Sequence, residues 1–391
     1  MINIPYSMPE ITKLDIKRVT KVLKNGYLTQ GKEIVSFELA ITEKFNCKYS
    51  MVCNSGTAAL HLVYSSLNIG PKNGLLTSPI TFLATASAAK MCNASVVFSD
   101  VDPVTGLMTP ETIEKAILTS KINIKVITVV HLGGRVCDMK GISKVAKKYN
   151  CLVVEDACHA PGAFYNNFYP VGSCKYSIAS TFSFHAIKHI TMGEGGCVTT
   201  NNKFLAEKII KARNHGIVRN KNKFFSKTHK GDPWYYEMQS LGWNYRADEM
   251  SCALGLSQLK RLDRNIKKRN ILVDFYFKYL SGISNLELPF KNKILNNNAW
   301  HLFSIKINFN KLQKSRGQVM KELANKGIGT QVHYIPLFMQ PYYKQKNIKK
   351  YKGASEYYEE TLSLPLHTKL TKKDINYISK NIKNILEKDN I

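Results

Sequence analysis

Between residues 50 and 200, short apolar runs alternate with helix-like stretches, and this alternation constrains the fold more than any other feature of the chain. SMVCNS is followed by GTAALHLVYSSL, GLLTSP by ITFLATASAAKM and SVVFSDVD by a stretch opened by Pro110. KVITVVHLGG then leads into MKGISKVAKKY, and CLVVEDACHA follows. A strand that must run in the same direction as the last one needs a crossover, and a helix supplies it. The pattern therefore predicts an α/β, doubly wound, mostly parallel sheet with helices on both faces. Sheets of this kind bind ligands beyond the carboxyl ends of their strands, so chemistry is sought in the turns that follow them.

The pattern changes after residue 250. ALGLSQLKRLDRNIKKRNILVDFYFKYL predicts one long amphipathic helix, apolar at Leu254, Leu259, Leu262 and Ile266. HLFSIKINF alternates as a strand, QVMKELANKG is a short helix closed by a glycine, GTQVHYIPL is another strand, and DINYISKNIKNILEK is a last helix. A chain of 391 residues exceeds one small core. The expected organisation is a large domain over residues 1–255 and a smaller α+β domain over 256–391.

Of the 56 basic residues nine are arginines and 47 are lysines, and the net charge is +28. Phosphate-backbone and base-edge recognition leans on Arg as well as Lys, so scattered lysine on solvated faces points away from nucleic acid as a partner. A weak field that draws in anionic substrates is compatible with it. No apolar stretch approaches the roughly 20 residues that span a bilayer, and MINIPYSMPEITKLDIKRV does not resemble a secretion signal, which together predict a cytoplasmic protein without a membrane partner. The nine cysteines form no CxxC pair and no Cys/His metal spacing, so free thiols and no metal are expected.

Four turns after predicted strands carry the candidate chemistry. In TFSFHAIKHITMGEGGCVTT (181–200) Lys188 sits between Ile187 and Ile190, where desolvation favours a free, nucleophilic amine over ammonium. Asp156, past the strand CLVVE, is placed to pair with a protonated pyridine nitrogen and keep such a ring an electron sink. His159 lies three residues on, within reach of the same ring. In CNSGTAAL (53–60), Asn54 and Ser55 are capping residues, and Gly56 lets a helix start approach a phosphate. Phe82, in SPITFLAT, offers an aromatic face to a ring. Each residue also has an ordinary structural reading: a surface lysine, a turn-capping acid, a plain capped helix, a core aromatic. Their order along one doubly wound domain is what joins them.

The chain resembles the DegT/DnrJ/EryC1/StrS family of sugar aminotransferases. The likeness extends from IPYS through GYLTQGKEIVSFE, NSGTAAL, EDACHA, FSFHAIK, GEGG and LGWNYRADEM to QVHYIPL. The resemblance implies a fold-type I aminotransferase that uses pyridoxal 5'-phosphate. It makes Lys188 the residue that holds the cofactor as a Schiff base and moves the proton, with Asp156 on the ring nitrogen and Phe82 and His159 on the ring. Gly56, Thr57 and Ser183 would take the phosphate, joined by Asn244 from the second subunit of a homodimer. Tyr6, Gly26, Tyr27, Leu28, Thr29, Gln331, Val332, His333 and Tyr334 would contact a sugar nucleotide, and His185 is a candidate catalytic group near the sugar. FSFHAIK with ITMGEGG, PWYYEMQSLGWNYR and QVHY resemble the branch that aminates C4 of a UDP-linked 4-keto-6-deoxy-2-acetamido-L-sugar for pseudaminic acid synthesis. Glutamate is the expected donor and 2-oxoglutarate its product. The same chemistry on a legionaminic acid, bacillosamine or 3-keto sugar precursor is the alternative. A related dehydratase branch carries His in place of the lysine, which Lys188 argues against. The lysine-bearing insertion 221–238 reads as a solvated loop, or as a lid near the nucleotide phosphates.

Overall fold

The structure is a computed structural model, and it describes residues 3–229, 231–289, 297–343 and 350–387. Its element order follows the predicted alternation. Helices α1 (Lys13–Asn25) and α2 (Lys32–Phe45) precede β1 (Tyr49–Cys53), α3 (Gly56–Ser66), β2 (Gly74–Thr77), α4 (Ala84–Met91) and β3 (Ser95–Phe98). Next come α5 (Pro110–Thr119), β4 (Ile124–Val130), α6 (Met139–Lys148) and β5 (Leu152–Asp156). A short hairpin, β6 (Phe164–Tyr165) and β7 (Tyr169–Pro170), leads to β8 (Ala179–Ser183), β9 (Gly196–Thr200) and α7 (Lys203–Arg213). Side-chain caps start several of the helices: Thr12 and Asp15 form a reciprocal box on α1, Thr109 caps α5 ahead of Pro110, and Asp138 caps α6.

The central sheet has the order β1-β9-β8-β5-β4-β2-β3. Strands β3, β2, β4, β5 and β8 pair in parallel, whereas β9 is antiparallel to both neighbours. The loop that carries Lys188 and GEGG joins β8 to β9 and turns the chain straight back, so no crossover helix is needed there. Neighbouring residues on a strand enter opposite cores. Val126 faces the layer built by α3, α4 and α7, while Ile127 and Val129 face the layer built by α2, α5 and α6. On β1 Met51 and Cys53 enter the first layer and Val52 the second. All nine cysteines are free thiols.

Past β10 (Ile217–Val218) and β11 (Glu237–Met238), which pair with each other, the expected single long helix is two: α8 (Glu249–Leu259) and α9 (Leu262–Leu280). The break is at Lys260–Arg261, where the Arg261 N–H bonds the Gln258 carbonyl and its guanidinium turns to the buried Asp15 at 2.7 Å. Packing explains it. Cys252, Leu256 and Leu259 enter the core of the large sheet, while Leu272, Val273 and Tyr276 enter a second core, and one straight helix cannot face both.

That second core is covered by an antiparallel sheet of β12 (Leu286–Glu287), β13 (Phe303–Ile307) and β14 (Thr361–Leu364). The remaining helices are α10 (Phe309–Leu312), α11 (Arg316–Asn325), α12 (Lys352–Glu360) and α13 (Lys372–Glu387). GTQVHYIPL, expected as a strand, is not one. Ile328 just before it bridges Ile4, its own Gln331 bridges Ser363, and the segment then leaves the sheet. Gln331 through Ile335 line a cavity instead, and Pro336 has no N–H for a ladder. No helix among the described residues is long and apolar enough to cross a membrane.

Candidate active site

The parallel strands deliver their C-terminal turns to one cavity of about 670 Å³. Ser55, Gly56 and Thr57 line it at the start of α3, Phe82 and Thr85 at α4, Asp156 at the end of β5 with His159 after it, and Lys188 after β8. Sequence reading sought the chemistry in these turns, and the fold brings them together.

The α3 end is built as an anion cradle. The Ser55 side chain accepts from the Ala58 N–H at 3.0 Å and fixes the helix start. The first N–H groups of a helix have no acceptor within it, and here those of Gly56 and Thr57 begin the helix on the cavity wall. A Cβ on Gly56 would lie 2.9 Å from the Ser183 Cβ, so only glycine leaves the two chain segments this close. Gly196 does the same from behind, where a Cβ would come within 2.2 Å of the Ser55 carbonyl oxygen.

Asp156 is buried and held by donors. Thr85 Oγ1 donates to Oδ2 at 2.6 Å and the Cys158 N–H to Oδ1 at 3.2 Å. A fixed carboxylate at the floor of a cavity suits a cationic ring nitrogen. His159 is locked as well: its Nδ1 accepts from the Gly133 N–H at 3.2 Å, which leaves Nε2–H to donate to Tyr334 Oη at 3.2 Å. Burial, with the nearby Lys188 charge, pushes its pKa well below the usual imidazole value, so the ring is neutral. Phe82 is more than half exposed and faces the cavity, its ring 6.3 Å from that of Tyr334.

Lys188 is half-buried and opens onto the cavity. Desolvation lowers its pKa, opposed by Cys158 and Asp156, which favour ammonium. Its N–H bonds the His185 carbonyl at 2.9 Å, and Nζ lies 3.5 Å from His301 Nε2. His185 also lines the cavity, with Nε2 3.8 Å from Glu194.

Of the expected sugar contacts, Tyr6, Gln331, Val332, His333 and Tyr334 line the cavity. His333 Nδ1 bonds Ser363 Oγ at 2.8 Å, and its Nε2 lies 3.4 Å from Tyr6 Oη. Gly26, Tyr27, Leu28 and Thr29 do not line the cavity of their own chain. The Glu249 N–H holds the Leu28 carbonyl at 2.9 Å and Thr29 bridges Asp248, so the segment lies along the start of α8. There Tyr27, 77% exposed, lines a separate recess with Gly31, Lys32 and Glu33. Asn244 is likewise exposed and outside the cavity, its carbonyl accepting from the Asn54 amide at 3.4 Å. Sequence reading missed Thr85, His301 and Cys158. Thr85 is a small hydroxyl in a helix, and His301 a histidine beside a strand of the other core, so neither had a local signal. The described residues hold no cluster of His, Cys, Asp and Glu that suits a metal ion.

The doubly wound sheet with its one antiparallel strand brings a helix-start cradle, a buried carboxylate and a desolvated lysine to one cavity, which suits a pyridoxal-phosphate enzyme of fold-type I. Comparison with known proteins agrees. The family model described as the DegT/DnrJ/EryC1/StrS aminotransferase family matches residues 9–383, and the chain belongs to that family. A Campylobacter jejuni protein named UDP-4-amino-4,6-dideoxy-N-acetyl-beta-L-altrosamine transaminase is 37% identical over 98% of this chain and 97% of its own length. Among solved structures, the Helicobacter pylori aminotransferase involved in the biosynthesis of pseudoaminic acid superposes with a TM-score of 0.88 at 30% identity, covering 99% of this chain and 100% of the other. A Streptococcus pneumoniae protein described as a sugar aminotransferase, in its PLP form, gives a TM-score of 0.88 at 28% identity over 99% of each chain. The same protein is also known in a PMP form. Family and neighbours together imply dependence on pyridoxal phosphate.

Proposed function

We propose that this chain binds pyridoxal phosphate and moves the amino group of glutamate to C4 of a UDP-linked 4-keto-6-deoxy-2-acetamido sugar. The product is UDP-4-amino-4,6-dideoxy-N-acetyl-β-L-altrosamine, a precursor of pseudaminic acid. Glutamate leaves as 2-oxoglutarate, so the donor gains the oxygen that the acceptor loses. The observation that carries the reading is one cavity holding both a buried carboxylate, Asp156, and a lysine whose ammonium is disfavoured, Lys188. Each matches the need of a pyridine-aldehyde cofactor. The choice of acceptor is supported by the likeness to the altrosamine transaminases, which spans nearly the whole of both chains.

When bound, the cofactor supplies an electron sink for the carbanion next to nitrogen. This chain's residues do the rest. Gly56, Thr57 and Ser183 take the phosphate at the positive end of α3. Asp156, held in place by Thr85, would pair the ring nitrogen, and Phe82 and the neutral His159 would hold the ring. Lys188 attaches the cofactor as an amine. When free of it, the same amine takes a proton from one carbon and returns it to another as a positioned general base. Tyr6 and residues 331–334 form the wall against the sugar, with His185 at its rim. Asn244 and Gly26 through Thr29 complete the site of the second copy in a homodimer; both groups are exposed and outside the cavity of their own chain.

The test is incubation with pyridoxal phosphate, glutamate and a panel of nucleotide keto sugars, read by mass spectrometry. The panel includes the 4-keto-L-sugar, its D isomers on the legionaminic acid and bacillosamine routes, and a 3-keto sugar. Amination of the 4-keto-L-sugar at the highest kcat/KM is expected. Preference for another member moves the acceptor, and no aminated product from any of them refutes the function.

A further inference from the structure

His301 has no place in the roles described so far, yet it reaches the reactive amine. Among the described residues it is the one hydrogen-bond partner of Lys188 Nζ, at 3.5 Å. The imidazole comes from the segment before β13, lines the cavity beside Lys188, and is buried. Its backbone is clamped: the His301 N–H donates to the Gly133 carbonyl at 2.9 Å, and Arg269 donates to the His301 and Trp300 carbonyls at 3.3 Å. The ring is wedged against His159, 4.4 Å between centroids, and His189, 5.4 Å. Its Nδ1 is buried with no partner among the described residues, so Lys188 is the one group the ring atoms bond. A polar ring desolvated this fully, for a single bond to the reactive amine, is not explained by packing.

We propose that His301 is a positioning residue for Lys188. In the half of the reaction in which the lysine is free of the cofactor, His301 Nε2 accepts an N–H of the ammonium and holds Nζ at the cavity floor. This rests on the proposed aminotransferase function, since only there does Lys188 alternate between attached and free. The acceptor role needs an uncharged ring. Burial, with the charge of Lys188, holds His301 well below the usual imidazole range. The other groups that face the lysine are Asp156 and Cys158 after β5, His159 beside them, His333 across the cavity and His189 on its own loop. Of these, Asp156 and Cys158 favour ammonium and burial opposes it, so His301 adds to the smaller side.

The experiment loads the enzyme with pyridoxamine phosphate, which leaves Lys188 free, and pulses it with acetic anhydride across a pH series. Peptide mass spectrometry then gives the pH at which Lys188 becomes nucleophilic. A hydrogen bond to a charged group is worth about one pH unit or more. H301L is therefore expected to move the midpoint down by about one pH unit, and H301Q, which keeps an acceptor at that reach, to return it close to wild type. A wild-type midpoint in H301L, or an equal shift in both variants, overturns the proposal. Should H301L be insoluble, nitrogen-15 histidine spectra of wild type and K188A decide: the His301 Nε2 resonance must move when the lysine is removed, and an unmoved resonance overturns the proposal. Borohydride trapping of pyridoxal phosphate on wild-type Lys188 separates the two claims. No trapped product sinks the aminotransferase function itself, whereas trapping with an unmoved H301L midpoint sinks the His301 role alone.

Discussion

Replacing Glu155 by Gln tests how the floor beneath the cavity is held. Glu155 precedes Asp156 on β5 but points to the opposite face of the sheet, fully buried. Its carboxylate takes four donors: His131 Nε2 at 2.8 Å, Ser177 Oγ at 2.5 Å, Ser180 Oγ at 2.9 Å, and the Tyr165 hydroxyl. An amide offers one acceptor oxygen and turns an NH2 toward donors. The serines and Tyr165 can rotate, but His131 cannot reverse, because its Nδ1 already accepts from the Cys137 N–H at 3.3 Å. One buried N–H then faces another. Removing the charged member of a buried pair costs about 3–5 kcal/mol, which at about 1.2 °C per kcal/mol for a chain of 391 residues lowers Tm by roughly 4–6 °C. The pH dependence sharpens the test. Burial alone would raise the Glu155 pKa, but the bonds from His131, Ser177 and Tyr165 outweigh it and the net shift is downward from 4.5. A depressed carboxyl contributes stability that is whole above the unfolded value and is lost as pH falls through the folded one. Calorimetry should therefore find the wild-type advantage shrinking as pH falls below about 4.5. A Tm within 2 °C of wild type at pH 7, or a gap that stays constant into acid, would refute the reasoning.

Three substitutions probe the cavity directly. K188A should abolish borohydride trapping of pyridoxal phosphate and all turnover while leaving Tm within a few degrees; full activity would remove the lysine from the chemistry. G56A brings a Cβ to 2.9 Å from the Ser183 Cβ, so cofactor affinity in a spectroscopic titration should fall about tenfold, or about 1.4 kcal/mol; unchanged affinity would move the phosphate elsewhere. D156N keeps an acceptor for Thr85 at 2.6 Å but loses the charge, and kcat should drop by about two orders of magnitude with the cofactor still bound; a kcat near wild type would deny Asp156 the ring nitrogen.

Much of this site was legible because each part sits in a turn after a strand whose apolar run is unmistakable. SIASTFSF leads to Lys188, CLVVE to Asp156, and SMVC to the Ser55-capped helix. Alternation gives the strands, parallel pairing brings their ends together, and the chemistry follows from the residue at each end. Other parts had no local signal. The break at Lys260–Arg261 arises because Leu256 and Leu272 enter different cores, a fact about the partners of the helix rather than its own period. QVHYIP alternates well enough for a strand, yet its side chains serve the cavity, so the pattern reports a lining. His301 lies 113 residues from Lys188 and reaches it through a glycine turn that no periodicity marks.

That turn shows how the two cores are joined at the lysine. Gly133 and Gly134 both have positive φ, 68° and 87°, and a Cβ on Gly134 would lie 1.6 Å from the Ala299 carbonyl oxygen. HLGG, after β4, is thus a glycine contact between the large sheet and the 299–301 segment that leads into β13. Through it the Gly133 carbonyl holds the His301 N–H, and the Gly133 N–H holds His159. Both imidazoles of the cavity floor hang from one residue. Lys188 differs from the other described lysines by what surrounds it. Lys148, at the exposed end of α6, is pushed the opposite way by hydrogen bonding to Glu114. An ammonium in solvent or beside a carboxylate gains no nucleophilicity. One desolvated in the cavity, with Asp156 as the only carboxylate among the groups that favour its charge, gives up its proton more readily, and the imidazole that the glycine contact places beside it limits that loss by accepting from the ammonium.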